Sequence, residues 1–279
     1  MLPFDKKYKL SNSTANEFSL CQRKSYFRKM CGDPGREGDM TALQLGSAFH
    51  RFLELTLHQW PQNGEAILIS IMEETKLNPD LKCLITSMIL KYCNYQKQID
   101  RKFLAFELYA ENKMFQATVD ALYTEGSGWG ILDLKTSGGF TETKKATLER
   151  DSQINLYSQM APEIAKAYNK KYPKAQKLDG KDYKGFRYLV VSKPRLTFDS
   201  TANFVTEVKR FMDKVQITDL FLPVINLKPE EARFRMLAIR KQFLEVWKGK
   251  KAPVPNYNSC DSYNRLCSYY DRCYRDKTI

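Results

Sequence analysis

Residues 130–136 read Gly130-Ile131-Leu132-Asp133-Leu134-Lys135-Thr136. The run is short, rich in apolar residues and preceded by a Gly126-Ser127-Gly128 turn, the pattern of a β-strand. Successive side chains of a strand point to opposite faces, so Asp133 and Lys135 project together while Leu132 and Leu134 face a core. Two upstream runs, Lys102–Glu111 and Met114–Tyr123, have a similar β-branched and aromatic composition. Glu-Asn and Gly-Ser-Gly turns part the three runs, which predicts a three-strand meander.

Outward from the meander the periodicity becomes helical. The segment after Ser11-Asn12-Ser13-Thr14 predicts a capped helix reaching about Met30, ended by Gly32-Asp33-Pro34-Gly35. Helical spacing predicts Ala42–Gln59, Glu65–Lys76 and Leu81–Gln98 before the strands, and Asp151–Tyr168 after them. A buried strand, Phe186–Ser192, and helices Ala202–Lys214 and Pro229–Lys248 follow. The Lys-rich stretch Lys166–Lys184 reads as an exposed, partly flexible connection. The order α–βββ–α–β–α gives an α/β (α+β) class. With no repeat or composition break, residues 1–279 are expected to form one domain: a mainly helical part (1–100), a sheet core (101–200), and helices with a Cys-rich tail (201–279).

The 43% hydrophobic content is enough for a sizeable core, and 45 Lys and Arg against 32 Asp and Glu give a net charge of +13. That excess favours a polyanionic partner, nucleic acid first, although a merely basic soluble protein has the same composition. No stretch approaches the roughly 20 apolar residues of a membrane span, and MLPFDKKYKL lacks the apolar core of a signal peptide. An intracellular, cytoplasmic location without a membrane partner is therefore expected. In such a reducing compartment the seven cysteines point to metal where clustered and to packing where scattered.

Asp120, brought in on an adjacent antiparallel strand, can approach Asp133 and form an oxygen-rich pocket for a hard divalent cation, with Lys135 beside it. Phosphodiester cleavage uses such a set: the metal activates water and stabilises phosphoryl charge, while an ammonium group orients the nucleophile or stabilises the transition state. Taken by itself, Asp-x-Lys is common by chance and reads first as a surface ion pair, so context must lift it. In Gly46-Ser47-Ala48-Phe49-His50-Arg51-Phe52-Leu53-Glu54, His50 and Glu54 share one helix face, so a helix can bring His50 to the metal. Imidazole among carboxylates lets Mn²⁺ compete with Mg²⁺. His58 lacks comparable partners and reads as surface. Gln153 and Tyr157 form another i, i+4 pair on the helix after the strands, which would also suit an ordinary amphipathic helix.

Cys260, Cys267 and Cys273 crowd three thiols into the last twenty residues, a pattern that suggests a soft metal or an iron–sulfur cluster. Cys83 and Cys93 fall in an apolar helical pattern and read as core thiols. Two basic aromatic stretches, Arg23–Lys29 and Tyr263–Arg275, offer phosphate contacts and base stacking, or a solvated charged face with buried rings.

The order G-x-x-x-H-x-x-L-E, Asp, D-x-K-T, Q-x-x-x-Y resembles the RecB-like branch of the PD-(D/E)xK nucleases, from about Ser11 to Tyr157 and again at the C-terminal cysteines. The resemblance implies a restriction-endonuclease-like core, a central mixed sheet flanked by helices. It also implies a metal site of His50, Asp120, Asp133 and the Leu134 carbonyl, holding Mg²⁺ or Mn²⁺. Lys135 would be the catalytic lysine and Gln153 and Tyr157 supporting active-site residues, with the role of Glu54 open. Cys21 would join Cys260, Cys267 and Cys273 around a 4Fe-4S cluster, as in CRISPR-adaptation exonucleases and helicase–nuclease repair enzymes. Six residues part Cys260 from Cys267 where that pattern has two, which keeps zinc and Cys31 as alternatives. The expected activity is that of a metal-dependent deoxyribonuclease, an exonuclease on DNA ends or single strands, in recombination, repair, phage DNA metabolism or CRISPR adaptation. A helicase or a recombination or adaptation protein would be a partner. The alternatives are a non-catalytic DNA-binding or assembly subunit and a restriction-type endonuclease.

Overall fold

A computed structural model describes residues 8–33, 35, 41–56, 64–74, 78–195, 197–260 and 267–275. His58 lies outside them. By its contacts the chain divides into two compact units, Met1–Met40 with Glu111–Ala117 and Lys228–Ile279, and Thr41–Ala110 with Thr118–Leu227.

The first unit is built on helices α1 (Asn12–Leu20), α2 (Gln22–Ser25), α10 (Pro229–Trp247) and α11 (Tyr270–Arg275), numbered along the whole chain. Ser11 caps α1 through its hydroxyl, which accepts from the Thr14 amide. The single predicted helix reaching Met30 is broken, because Cys21 is extended (φ −157°, ψ 110°) and α2 then runs into a π-helical turn, Tyr26–Met30. Partners outside the helix take over its hydrogen bonds at the break: the Arg23 amide donates to the Val254 carbonyl, and the Asn256 amide group to the Leu20 carbonyl. Phe18 and Tyr8 pack on Phe243 of α10 with ring centroids 5.3 and 5.1 Å apart. At the C-terminal end Tyr269 stacks on Phe27 and donates to the Asp33 carbonyl (2.6 Å), while Arg272 lies over Phe27 and pairs with Asp33.

The second unit holds α3 (Thr41–Thr56), α4 (Gly64–Glu74), α5 (Pro79–Gln96), α6 (Glu142–Thr147), α7 (Ser152–Gln159), α8 (Ala161–Lys171) and α9 (Phe204–Lys214). Its sheet has the order β1 (Lys102–Glu111), β2 (Gln116–Glu125), β3 (Gly128–Ser137), β4 (Tyr183–Ser192) and β5 (Ile217–Pro223). β2 and β3 are antiparallel, β3 and β4 parallel, and β4 and β5 antiparallel, so the sheet is mixed. Leu132 and Leu134 alternate into a core with Phe49 and Phe52 of α3 and Met88 and Ile89 of α5. α7 packs on β4, where Tyr157 meets Phe186.

The predicted meander is present, with strand ends displaced by a few residues. The helix predicted over Asp151–Tyr168 is two helices joined at Met160. Pro162 supplies no amide hydrogen and suits the first turn of a new helix, α8. The stretch 166–184 is less of an open connection than predicted: α8 continues to Lys171, Tyr168 and Leu178 are buried, and Tyr183 starts β4. β5 was not anticipated, because Asp219 interrupts its apolar pattern. That carboxylate is satisfied by Tyr95 (2.6 Å), Arg101 (2.7 Å) and Arg187 (3.1 Å), pairings that no local pattern reveals. Among the described residues no helix is long and apolar enough to cross a membrane.

Candidate active site

Six predicted residues, His50, Asp120, Asp133, Lys135, Gln153 and Tyr157, fall in the sheet unit, and hydrogen bonds and ion pairs link them. The backbone ladder between β2 and β3 runs from Glu125↔Gly128 to Ala121↔Leu132. Just beyond it Asp120 Oδ2 accepts from the Leu134 amide at 2.7 Å, so a carboxylate takes the place of the next ladder bond. Asp133, opposite Tyr188 of β4, is 1% exposed. Its Oδ1 accepts from Lys135 Nζ (2.9 Å) and Gln153 Nε2 (2.8 Å), whereas its buried Oδ2 has no hydrogen-bond partner among the described residues. Gln153 also lies 3.3 Å from the Tyr157 hydroxyl, which donates to the Thr118 carbonyl at 2.8 Å. Gln153 thus braces Asp133, and Tyr157, anchored on the Thr118 carbonyl, braces Gln153.

From α3, His50 Nε2 meets the Leu134 carbonyl oxygen at 3.0 Å. His50 Nδ1 lies 3.6 Å from Glu107 Oε1 and 3.9 Å from Asp120 Oδ1. One ligand atom each from His50, Glu107 and Asp120 fit within 4.8 Å of one another, a spacing suited to one metal ion. Glu107 belongs to none of the sequence motifs. Its signal is a charged residue within the apolar strand Phe103–Ala110, at the point where burial stops alternating and Ala105 and Phe106 are both buried. Glu107 has φ +45°, a left-handed conformation that a non-glycine side chain resists. These groups open on a cleft of about 850 Å³ whose walls include Arg51, Lys135, Thr136 and Lys193. Glu54 reaches the same cleft but pairs with Arg51 at 2.8 Å.

The electrostatics follow from burial and crowding. Burial pushes Asp133 up to about 7, against the pull of Lys135 and with added repulsion from Asp120. Burial raises Asp120 as well, opposed by Lys135 and His50. Burial works against the charged form of Lys135, but Asp133 and Asp120 outweigh it and keep the ammonium firmly protonated. For His50, burial likewise opposes the imidazolium, and Glu107 and Asp120 more than compensate, raising it above the ordinary value. A buried and a half-buried carboxylate that resist ionisation, the buried one with an unused oxygen, suit a divalent cation that would supply the missing positive charge.

Cys21, Cys260, Cys267 and Cys273 fall in the other unit, and none is in a disulfide. Burial raises the Cys273 thiol, Arg23 opposes this, and Cys21, Cys267 and Cys260 each add repulsion, so the four sulfurs share one electrostatic neighbourhood. Cys31 is set against the Tyr26 hydroxyl instead. Cys83 and Cys93 lie in apolar clusters.

Residues 9–274 match the family model of the PD-(D/E)XK nuclease superfamily. The chain belongs to that superfamily and is a nuclease by family. Among solved structures it is similar to a protein from Eubacterium rectale provisionally assigned as an exonuclease. That likeness has a TM-score of 0.55 at 13% identity over 98% of this chain and 90% of the other, which makes it a likeness of fold. No curated protein sequence matches the chain.

Proposed function

We propose that the chain is a metal-dependent deoxyribonuclease of the RecB-like branch, working as an exonuclease on DNA ends or single strands. The observation that carries the reading is the buried Asp133, held by Lys135 and Gln153 on one oxygen and open on the other, beside Asp120 and His50. Asp120, Asp133, His50 and the Leu134 carbonyl would hold Mg²⁺ or Mn²⁺, with Glu107 as a further oxygen donor. When bound, the ion supplies Lewis acidity toward the scissile phosphate and an acidified water. Lys135, kept charged by the two carboxylates, orients the attacking water and offsets charge on the phosphoryl oxygens as the P–O bond to the leaving strand breaks. Gln153 and Tyr157 support the site: Gln153 donates to the Asp133 carboxylate, and Tyr157, anchored on the Thr118 carbonyl, accepts from Gln153. Lys193 in the cleft wall attracts the phosphate backbone, whereas the charge of Arg51 is offset by Glu54. The family match crosses both compact units, which supports reading residues 1–279 as one nuclease domain.

The exonuclease assignment rests on the family resemblance, and the net charge of +13 favours a nucleic-acid substrate. Cytoplasmic DNA metabolism, with a helicase or a recombination or adaptation protein as partner, follows from the same resemblance. Purified protein should degrade end-labelled DNA to nucleotides or short oligomers with Mg²⁺ or Mn²⁺ and lose the activity in Lys135→Ala and Asp133→Asn. Discrete internal fragments would replace the exonuclease reading with an endonuclease. Unchanged activity in both variants would overturn the site, and salt-sensitive DNA binding without cleavage would point to a non-catalytic subunit.

A second part of the reading is a 4Fe-4S cluster on Cys21, Cys260, Cys267 and Cys273. Four thiols in one electrostatic neighbourhood form a fitting donor set. Anaerobic purification should give a brown protein with four irons per chain; stoichiometric zinc without iron would replace the cluster with a structural zinc site.

A further inference from the structure

A second cavity in the sheet unit lies between α3, α5 and β1 and encloses about 330 Å³, at the small end for a ligand pocket. Phe52, Phe103 and Phe106 form apolar walls, and Tyr92, Gln96 and Arg101 form a polar end. At that end the Tyr92 hydroxyl, the Gln96 amide nitrogen and Arg101 Nε and Nη1 are buried without a hydrogen-bond partner among the described residues. Tyr92 is 3% exposed and the Arg101 side chain 2%. Proteins rarely leave even one such group unpaired, and here three side chains do so around one space.

The unpaired groups are all donors, because burial among apolar rings keeps the Tyr92 hydroxyl protonated. An occupant must therefore bring acceptors. It must also bring little charge. Arg101 already gives Nη2 to Asp219 (2.7 Å) and its Nε lies 3.9 Å from Glu125, and Arg187 pairs with both carboxylates, so these four charges balance and leave one net positive charge from Lys97, which also lines the cavity. A dianionic phosphate would be poorly matched, whereas one carboxylate meets one partly committed guanidinium. The phenylalanine walls call for a hydrocarbon body. We infer that this cavity binds a small organic carboxylate, an acyl or aryl acid whose carboxylate takes the Arg101, Gln96 and Tyr92 donors and whose hydrocarbon lies among Phe52, Phe103 and Phe106. The site stands apart from phosphodiester cleavage, and its test reads no nuclease activity.

Isothermal calorimetry and thermal unfolding of the full chain test it, with sodium octanoate and phenylacetate as probes. Octanol, benzyl alcohol and inorganic phosphate serve as controls. At least one acid should bind saturably at one per chain and raise Tm with concentration, while the alcohols and phosphate do neither. Tyr92→Phe and Gln96→Leu each remove one donor and should weaken binding about tenfold. Gln96→Leu, at a half-buried position, carries this test should Tyr92→Phe fail to fold. Lack of saturable binding by either acid up to roughly 10 mM would mean that the cavity holds water only. Equal binding of the alcohols or of phosphate would overturn the carboxylate assignment. Undiminished binding by a folded Gln96→Leu variant would overturn the site.

Discussion

Replacing Glu107 separates what this residue costs the fold from what it contributes to the site. Its φ of +45° is disfavoured by roughly 1–2 kcal/mol for a side chain with a Cβ and is unstrained for glycine. Glu107→Gly relieves that strain but adds freedom to the unfolded chain, at a cost of about 0.4–1 kcal/mol. Glu107→Ala removes the same carboxylate and keeps the strain. The difference between the two variants therefore isolates the backbone, and metal-free Glu107→Gly should be the more stable by about 0.5–1 kcal/mol, or ~1–4 °C in Tm. Both variants lose one of the three donors that fit around a single ion, so both should bind Mn²⁺ about ten- to a hundredfold more weakly than the parent chain. Calorimetry of the metal-free proteins in chelator, followed by Mn²⁺ titration, measures both effects. If metal-free Glu107→Ala were as stable as Glu107→Gly, the strain would be absent. If Mn²⁺ affinity were unchanged in both, Glu107 would be no ligand.

Four further outcomes follow from other parts of the sheet unit. Gln153→Leu removes a hydrogen bond to a buried carboxylate, a loss of roughly 1.5–3 kcal/mol, so kcat should fall about ten- to a hundredfold with KM little changed in steady-state assays. With Asp133 pushed up to about 7, Mn²⁺ should displace about one proton below that pH and bind more tightly as pH rises through it, as calorimetry in buffers of different ionisation heat would measure. The raised Asp133 and the raised His50 act in the same direction on stability. Asp133 ionises less readily folded than unfolded, and His50 holds its proton more tightly folded than unfolded. The metal-free protein should therefore lose stability as pH climbs from about 4 to beyond 7, and a Tm that rises over that window would contradict both shifts. Asp219→Asn leaves Arg101 and Arg187 poorly compensated in a buried setting, at a cost of about 3–5 kcal/mol, and thermal melts should show a drop on the order of 10 °C.

Strand spacing made Asp133 and Lys135 legible, because a period of two is a local property that survives folding. His50 and the pair Gln153 and Tyr157 were legible as helix faces, and the structure links them to the same carboxylates. Glu107 was not, since its position depends on an irregularity in β1 that brings a strand residue toward a helix histidine. β5 escaped for a related reason: Asp219 spoils the apolar run, and the arginines that accommodate it come from β4 and from the residue just before β1. The break at Cys21 was invisible because residues 254–256, distant in sequence, supply the hydrogen bonds that replace the helical ones. Local patterns carry alternation and capping; they do not carry partners that arrive from far along the chain.

The parallel pairing of β3 with β4 constrains the order of events during folding. Strands laid side by side in the same direction cannot be joined by a tight turn, and here the chain travels from Ser137 to Tyr183 before it pairs again. Gln153 and Tyr157 sit inside that crossover. A nascent chain that has completed β3 already holds Asp120, Asp133 and Lys135, yet lacks the glutamine that fixes the acid. Parallel pairing across so long a crossover is slow compared with the formation of the β2–β3 hairpin, so recovery of activity after denaturation should follow the slowest refolding phase.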